Sequence, residues 1–138
     1  MAAGRRGGAM IVITAVLAGC SSADDPDESG LRPAEKRELV GRYYDCARAG
    51  DQACVRATLH PSFEATDHPA GPMSGAAHAE TIVTQLRRAR VESRILPHES
   101  NEVWVVEVWI DRHGSTGSRL RAFDFDDRLI RSKVALGG

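Results

Sequence analysis

Apolar residues in the first half of the chain recur at helical spacing in separate segments. The first segment begins at Pro33, a favourable first helical residue, and its apolar stripe ends at Gly50. Asp51 is suited to cap a second, shorter helix, which Pro61 stops, and Ser74 is suited to cap a third. The apolar stripe of the third helix consists of Ala79, Ile82, Val83, Leu86 and Ala89. The pattern predicts three amphipathic helices.

From about residue 91 the apolar period changes from helix to strand. Four successive antiparallel strands are predicted at 91–97, 102–111, 118–125 and 129–136, with a further short strand at 62–68 before the third helix. The segment 102–111 is apolar on both faces, so we expect it to be central and covered on both sides. The order of elements predicts an α+β fold, with helices packed on a curved antiparallel sheet that leaves a conical cavity at one end.

The first twenty residues have the pattern of a bacterial lipoprotein signal peptide. Arg5 and Arg6 precede an apolar stretch at 9–18, which is too short to span a bilayer, and the tetrapeptide LAGC ends at Cys20. We expect cleavage after residue 19, lipid on Cys20, and a place on the extracytoplasmic face of the cell membrane. The alternative is an ordinary secretory signal peptide with a chance cysteine.

The segment that follows Cys20 is polar, acidic and rich in Ser, Gly and Pro. It predicts a flexible tether over 20–32 and one domain over 33–138. In an oxidising compartment Cys46 and Cys54 are expected to form a disulfide across the corner between the first two helices. The alternative is two buried thiols that do not meet.

Several classes of function are disfavoured by the composition. The net charge is -1 and the sequence contains no basic stripe. Both observations argue against nucleic acid as a partner. The histidines show no metal-ligand spacing, so no metal is expected. Neither a nucleophile elbow nor a glycine-rich phosphate or dinucleotide loop is present, so no cofactor is expected.

Three short patterns carry a resemblance over about 33–136. They are Tyr43-Tyr44 followed by Ala-Gly-Asp, Phe63 through Asp67-His68-Pro to a Gly-rich stretch, and Phe-Asp-Phe-Asp-Asp-Arg-Leu-Ile at 123–130. In this order they resemble the NTF2-like superfamily, in particular its SnoaL-like polyketide cyclase and ketosteroid isomerase branch. The resemblance implies a cone-shaped pocket between sheet and helices, and a homodimer formed through the open face of the sheet.

The resemblance also implies candidate pocket residues. Tyr43 would be an oxyanion donor that points into the pocket, and the general base position falls on His68, with Asp67 beside it. Arg121 stands where the isomerases keep a neutral acid, so a steroid-type isomerisation is in doubt, although a guanidinium can pair with a ligand carboxylate or stabilise an enolate. Further side chains expected to line the pocket are Tyr44, Phe63, Trp104 and Trp109.

Glu107 lies in the middle of an apolar strand, and two interpretations of it remain open. The carboxylate either lines the pocket with a raised pKa or pairs with an arginine such as Arg121 on the neighbouring strand.

Two functions follow from the whole pattern. The first is a lipoprotein that binds a small apolar or amphipathic ligand or a partner protein, and the alternative is an acid/base enzyme that isomerises or cyclises its substrate.

Overall fold

The predicted helices are present, with ends close to those expected. This computed structural model describes residues 24–66, 71–97 and 100–137 of the chain. The helices are α1 (Pro33–Arg48), α2 (Gln52–Ala57) and α3 (Gly75–Arg88). The Asp51 carboxylate caps α2 by accepting a hydrogen bond from the Cys54 backbone N–H at 2.9 Å. Ser74 precedes α3, but within the described residues its hydroxyl makes no capping hydrogen bond.

The strands of the described residues form one six-stranded sheet in the order β2-β1-β6-β5-β4-β3. Their ranges are β1 (Leu59–Ala65), β2 (Met73–Ser74), β3 (Arg90–Ile95), β4 (Val103–Ile110), β5 (Thr116–Asp126) and β6 (Leu129–Leu136). Neighbouring strands are antiparallel except β1 and β6, which run parallel. The predicted α+β class and the helices on a curved sheet are therefore confirmed, with a mixed rather than purely antiparallel sheet.

The first strand begins earlier than its sequence pattern indicated. The second helix ends at Ala57, and β1 starts at Leu59 and includes Pro61. Proline is tolerated there because the pairing of β1 with β6 is interrupted between Leu59 and Glu64, so its missing N–H costs no ladder hydrogen bond. The short strand β2 was not predicted, because a two-residue segment carries no periodicity.

The strand expected at the centre of the sheet lies second from the β3 edge. The inward side chains of β4, such as Val103 and Val105, are buried, whereas the outward side chains Val106 and Val108 are half-buried. The prediction that β4 is covered on both sides is therefore wrong for the described chain. Among the described residues, α1 and α3 pack on the inward face of the sheet, and no helix covers the apolar outward face.

Part of the predicted tether belongs to the folded domain. Ser29 and Leu31 are buried, and the Ser29 carbonyl accepts a hydrogen bond from the Arg128 backbone N–H at 2.8 Å. Asp27 forms an ion pair with Lys36 of α1. The packed chain thus begins near Asp27 rather than at Pro33, because one apolar side chain and a few local hydrogen bonds fix a segment whose composition predicts a linker.

Cys46 and Cys54 are joined by a disulfide, with their Cα atoms 5.5 Å apart. The bond links α1 to α2 across a corner at Gly50, whose φ of 73° is in the region that favours glycine. The predicted pairing is confirmed.

The two ends of the sheet differ in what packs against them. At one end the β5–β6 hairpin turns through Asp127 and Arg128, and the segment 27–31 packs beside it. We call this the turn end. The opposite end, which we call the open end, carries the last residue of β4, Ile110, and the first residue of β5, Thr116.

Candidate functional site

Glu107 is a fully buried carboxylate that accepts four donors on the inward face of β4. Its Oε1 accepts hydrogen bonds from the Tyr44 hydroxyl at 2.6 Å and from the Lys133 ammonium at 2.7 Å. Its Oε2 accepts from Arg121 Nε at 3.0 Å and from Trp109 Nε1 at 3.1 Å. We call these five residues the Glu107 cluster. Of the two interpretations left open by the sequence, pairing with Arg121 is the one observed.

The protonation states of this cluster follow from burial and neighbouring charge. Burial alone would raise the pKa of Glu107, but the charge of Lys133 and the hydrogen bonds from Lys133, Tyr44 and Trp109 lower this pKa below its usual value. Burial and then the charge of Glu107 raise the pKa of Tyr44 well above its usual value. At neutral pH Glu107 is therefore an anion and Tyr44 a neutral donor.

The lysine of the cluster is buried among other cations. Burial lowers the pKa of Lys133, the charges of Arg121 and Arg119 lower it further, and Glu107 opposes this shift. Arg119 is the β5 residue directly opposite Glu107 in the β4–β5 register, and it is exposed. Positive charge is thus concentrated on one small area of the inward face.

A cavity of about 280 Å³ lies between α3 and the inward face of the sheet. Its polar lining consists of His78, Thr81, Gln85, Arg119, Arg121 and Lys133. Its apolar lining consists of Ala65, Met73, Ile82 and Trp109. Two of the residues at its rim, Gln85 and Arg119, are exposed to solvent, so the cavity opens toward the open end of the sheet. Its volume is close to the lower limit of about 300 Å³ for small-molecule sites.

A second polar pair lies behind the cavity wall. The Tyr43 hydroxyl and His78 Nε2 share a hydrogen bond of 2.6 Å, and their rings stack with centroids 5.9 Å apart. Lys133 Nζ donates to the same hydroxyl at 3.4 Å, which connects this pair to the Glu107 cluster. Phe63 packs against the His78 ring with centroids 5.0 Å apart. Tyr43 is fully buried, so it reaches the cavity through His78 and Lys133.

The structure brings together most of the pocket residues predicted from the sequence. Arg121 and Trp109 line the cavity directly, and Glu107 lies behind them. Tyr44 and Phe63 are buried one layer farther in and support the lining residues instead of forming it.

The structure contradicts the pocket position predicted for Trp104. This residue pairs with Ala122 on the outward face of the sheet, and its indole N–H donates to Glu102 at 2.9 Å. The reason is the alternation of side chains along a strand: Trp104 and Trp109 are five residues apart and point to opposite faces. The expectations for Cys20, Asp67 and His68 concern positions outside the described residues.

Among the lining residues that sequence reasoning missed, His78 and Lys133 were each missed for a physical reason. His78 was considered only as a metal ligand, although its position one residue before Ala79 puts it on the buried stripe of α3. Lys133 is three residues from Ile130, so simple alternation puts these two on opposite faces. A register shift in the β5–β6 pairing inserts one residue and turns Lys133 inward.

Within residues 24–66, 71–97 and 100–137 no group of three or more His, Cys, Asp or Glu side chains could hold a metal ion. In the same residues, no helix has both the length and the apolar character needed to cross a membrane.

The fold is shared with solved structures of low sequence identity. The Delta 5-3-ketosteroid isomerase from Mycobacterium sp. is 18% identical, with a TM-score of 0.59 over 75% of this chain and 93% of that chain. A candidate polyketide cyclase from Sinorhizobium meliloti is 19% identical, with a TM-score of 0.60 over 72% and 94%. An NTF2-like protein of unknown function from Cytophaga hutchinsonii is 14% identical, with a TM-score of 0.56 over 73% and 88%.

These similarities show that the chain has an NTF2-like fold. The sequence matches no protein-family model, and a search of curated proteins finds no significant match. At such identities fold does not carry function, so the activity of this chain has to be argued from its own cavity.

Proposed function

We propose that this protein is a membrane-anchored extracytoplasmic lipoprotein whose NTF2-like domain binds a small ligand in the cavity beside the Glu107 cluster. The observation that carries the proposal is the cavity itself, a concave space lined by convergent polar groups and by the apolar side chains of Met73, Ile82 and Trp109. Small-molecule sites combine apolar lining with directed polar groups, and this cavity has both, with polar residues in the majority.

The state of Glu107 favours binding over catalysis. A general base needs a free lone pair within reach of a substrate proton. Both oxygens of Glu107 already accept two donors each, and the pKa of this carboxyl is lowered instead of raised toward neutrality. The cluster is therefore suited to hold Arg121 and Lys133 in fixed positions along the cavity wall.

The proposed ligand site is tested by filling the cavity. Thr81 lines the cavity and Thr84, three residues later on α3, does not, and both are half-buried. We expect the full chain, purified from native membranes in detergent, to carry a small molecule detectable by native mass spectrometry, and Thr81→Trp to lose it. The matched variant Thr84→Trp should retain it. A wild-type protein that carries no ligand and binds none on screening would contradict the proposal.

The proposed anchor rests on the signal-peptide pattern that ends at Cys20. Because the segment 27–31 packs on the turn end of the sheet, the tether to the membrane is at most the few residues between Cys20 and Asp27. We expect mass spectrometry of the membrane fraction to find acyl chains on Cys20, and Cys20→Ala to release the protein. A Cys20→Ala variant that is as membrane-bound as the wild type would refute the anchor.

The second candidate is an acid/base enzyme, favoured by the hydrogen bond between Tyr43 and the cavity residue His78. An imidazole at a cavity wall can remove a proton next to a carbonyl, and Lys133 or Arg121 could stabilise the enolate. The test is deuterium exchange at the α-carbons of cyclohexanone, followed by NMR with wild type and His78→Ala. Exchange no faster than in buffer alone would eliminate this candidate.

A further inference from the structure

Lysine is rare in this chain, and both of its lysines are buried. Of the eighteen Lys and Arg residues in the sequence, only Lys36 and Lys133 are lysines. They are 4% and 3% exposed, although lysine is among the residues that are least often buried. Lys36 has a structural role, because it forms an ion pair with Asp27 and donates to the Asn101 carbonyl at 2.8 Å. The fold thus accounts for Lys36, and the role of Lys133 remains to be explained.

The carboxylate of the Glu107 cluster does not need Lys133 as a partner. Without this lysine, the carboxylate would keep its ion pair with Arg121 and the hydrogen bonds from Tyr44 and Trp109. Moving an ammonium out of water into a protein interior is costly. A buried lysine that the cluster does not require, at the wall of a cavity, is therefore a candidate for a role in the site.

A chain of hydrogen bonds leads from the Lys133 ammonium to His78, which lines the same cavity. Lys133 Nζ donates to the Tyr43 hydroxyl at 3.4 Å, so the proton of that hydroxyl is directed to His78 Nε2, 2.6 Å away. Burial lowers the pKa of Lys133, which makes it easier to remove a proton from the ammonium. An imidazole can take such a proton and return it. The amine can thus become a nucleophile without releasing a proton to solvent.

The surroundings of Lys133 Nζ stabilise a positive charge on this nitrogen, whatever group the nitrogen carries. Glu107 Oε1 is 2.7 Å from Nζ. The rings of Tyr43, Tyr44 and Phe123 have centroids 5.4, 5.6 and 5.8 Å from it. An ammonium and a protonated imine both carry one positive charge and an N–H donor. Replacing the first by the second therefore leaves the charge balance with Glu107 unchanged.

We propose that the ligand is a small aldehyde or ketone, which the cavity holds as a protonated imine on Lys133, with its apolar body against Ile82 and Trp109. The inference deepens the proposed ligand-binding function and rests on it. Both apolar side chains line the same cavity as Lys133. Buried lysines are suited to imine formation because burial favours the neutral amine. Addition of water to the imine releases the ligand, so its capture is reversible.

The reaction forms one C=N bond and releases one water. After a proton of the ammonium has passed through Tyr43 to His78, the nitrogen lone pair of Lys133 attacks the carbonyl carbon. A proton then moves from this nitrogen to the former carbonyl oxygen, which gives a neutral carbinolamine. His78 returns the first proton to the new hydroxyl, the C–O bond breaks with loss of water, and the nitrogen lone pair forms the C=N bond. The step needs no oxidant or reductant, and no proton is gained or lost overall.

The imine is tested by trapping it with a reductant. The full chain in detergent is incubated with butanal and sodium cyanoborohydride, which converts an imine into a stable secondary amine, and peptide mass spectrometry locates the butyl group. Lys36 is the internal control, since it is as buried as Lys133 and pairs with a carboxylate but does not line the cavity. We expect the initial rate of labelling at Lys133 to exceed that at Lys36 by at least about ten-fold, because the relay through Tyr43 assists it.

Variants then identify the groups involved. Lys133→Met should abolish the fast labelling and leave the labelling of Lys36 as it is. Tyr43→Phe removes the hydroxyl between Lys133 and His78, and it should slow the labelling of Lys133 by at least about ten-fold. Circular dichroism of each variant verifies that it is folded.

Two further measurements connect the labelling to the cavity and to the natural ligand. Thr81→Trp should slow the labelling of Lys133 because it fills the cavity, whereas Thr84→Trp should not. Treatment of native membranes with sodium borohydride before purification should fix the natural ligand on Lys133, and the mass of the adduct identifies it.

The possible outcomes separate this inference from the function on which it rests. If Lys133 is labelled no faster than Lys36, but a native ligand is found that Thr81→Trp loses, the imine inference is wrong and the ligand site stands. The inference also fails if Tyr43→Phe or Thr81→Trp is labelled as fast as the wild type, because the reaction would then not depend on the relay or the cavity. If butanal does not label Lys133 and no native ligand is found, both proposals fail.

Discussion

At the scale of single residues, the cavity wall depends on the balance of charge in the Glu107 cluster. Glu107 and Lys133 are both buried ion-pair partners, yet their removal has opposite consequences for that balance. Loss of the carboxylate removes the buried ion-pair partner that Lys133 and Arg121 share. Loss of the ammonium leaves a matched pair of Glu107 and Arg121.

We therefore predict that Glu107→Gln destabilises the fold much more than Lys133→Met. Removing the member of a buried ion pair whose loss leaves buried charge uncompensated lowers the unfolding free energy by about 3–5 kcal/mol. Lys133→Met should lower it by only about 1 kcal/mol. Urea unfolding of both variants followed by circular dichroism measures the difference. Equal destabilisation would mean that charge balance does not govern this cluster.

The lowered pKa of Glu107 also predicts a dependence of stability on pH. A carboxyl whose pKa is lower in the folded state adds stability above its unfolded pKa of about 4.3, and that stability is lost as the pH falls through the folded value. The groups that face it are Tyr44, Trp109, Arg121 and Lys133, with Arg119 nearby. The difference in unfolding free energy between wild type and Glu107→Gln should thus be largest near neutrality and shrink below about pH 4. A difference that stays constant from pH 7 to pH 3 would contradict this.

At the scale of elements, the short helix α2 depends on its links to α1. A helix of this length is marginal by itself, and here the Asp51 cap and the Cys46–Cys54 bond hold it in place. The sequence indicated both devices, since each depends on residues close together in the chain. It could not indicate that β1 would start directly after α2, because the parallel partner of β1 is β6, about seventy residues away.

We predict that the double variant Cys46→Ala/Cys54→Ala loses about 2–3 kcal/mol of stability, the amount expected for a closed loop of about nine residues. Chemical unfolding is measured with and without reductant. The reductant should lower the unfolding free energy of the wild type to that of the variant. It should leave the unfolding free energy of the variant unchanged. An effect of the reductant on the variant would point to a cause other than this disulfide.

At the scale of the whole molecule, the outward face of the sheet has a row of apolar side chains that no layer of the described residues covers. They include Trp104, Val106, Val108, Ile110, Leu120 and Val134. A continuous apolar surface of this kind is unusual on a monomer and marks an interaction site. It supports the homodimer that the resemblance implies, with a second copy of the chain on this face.

We predict that the protein is a dimer, and that Val106→Arg/Leu120→Arg, a directly opposed pair on this face, makes it a monomer. Light scattering after size exclusion measures the change over a range of concentrations. Arg37→Ala, at an exposed position of α1 on the opposite side of the sheet, serves as the control and should remain dimeric. Because the cavity is on the inward face, ligand binding there should be unaffected by the loss of the dimer. A wild type that is monomeric at all concentrations would refute the prediction.

The sequence by itself determined the features that depend on neighbouring residues, namely the helices and most strands. It favoured the cysteine pair, and it limited Glu107 to a pocket carboxyl or the partner of an arginine. These follow from periodicity and from the cost of burying an unpaired charge, which do not require knowledge of the fold. Tertiary structure alone decided which face each residue joined. The irregular β5–β6 pairing turned Lys133 into the cavity, the placement of the helices on one side left Trp104 outside, and α3 brought His78 to Tyr43. These outcomes depend on register and on contacts between distant segments, which no local pattern specifies.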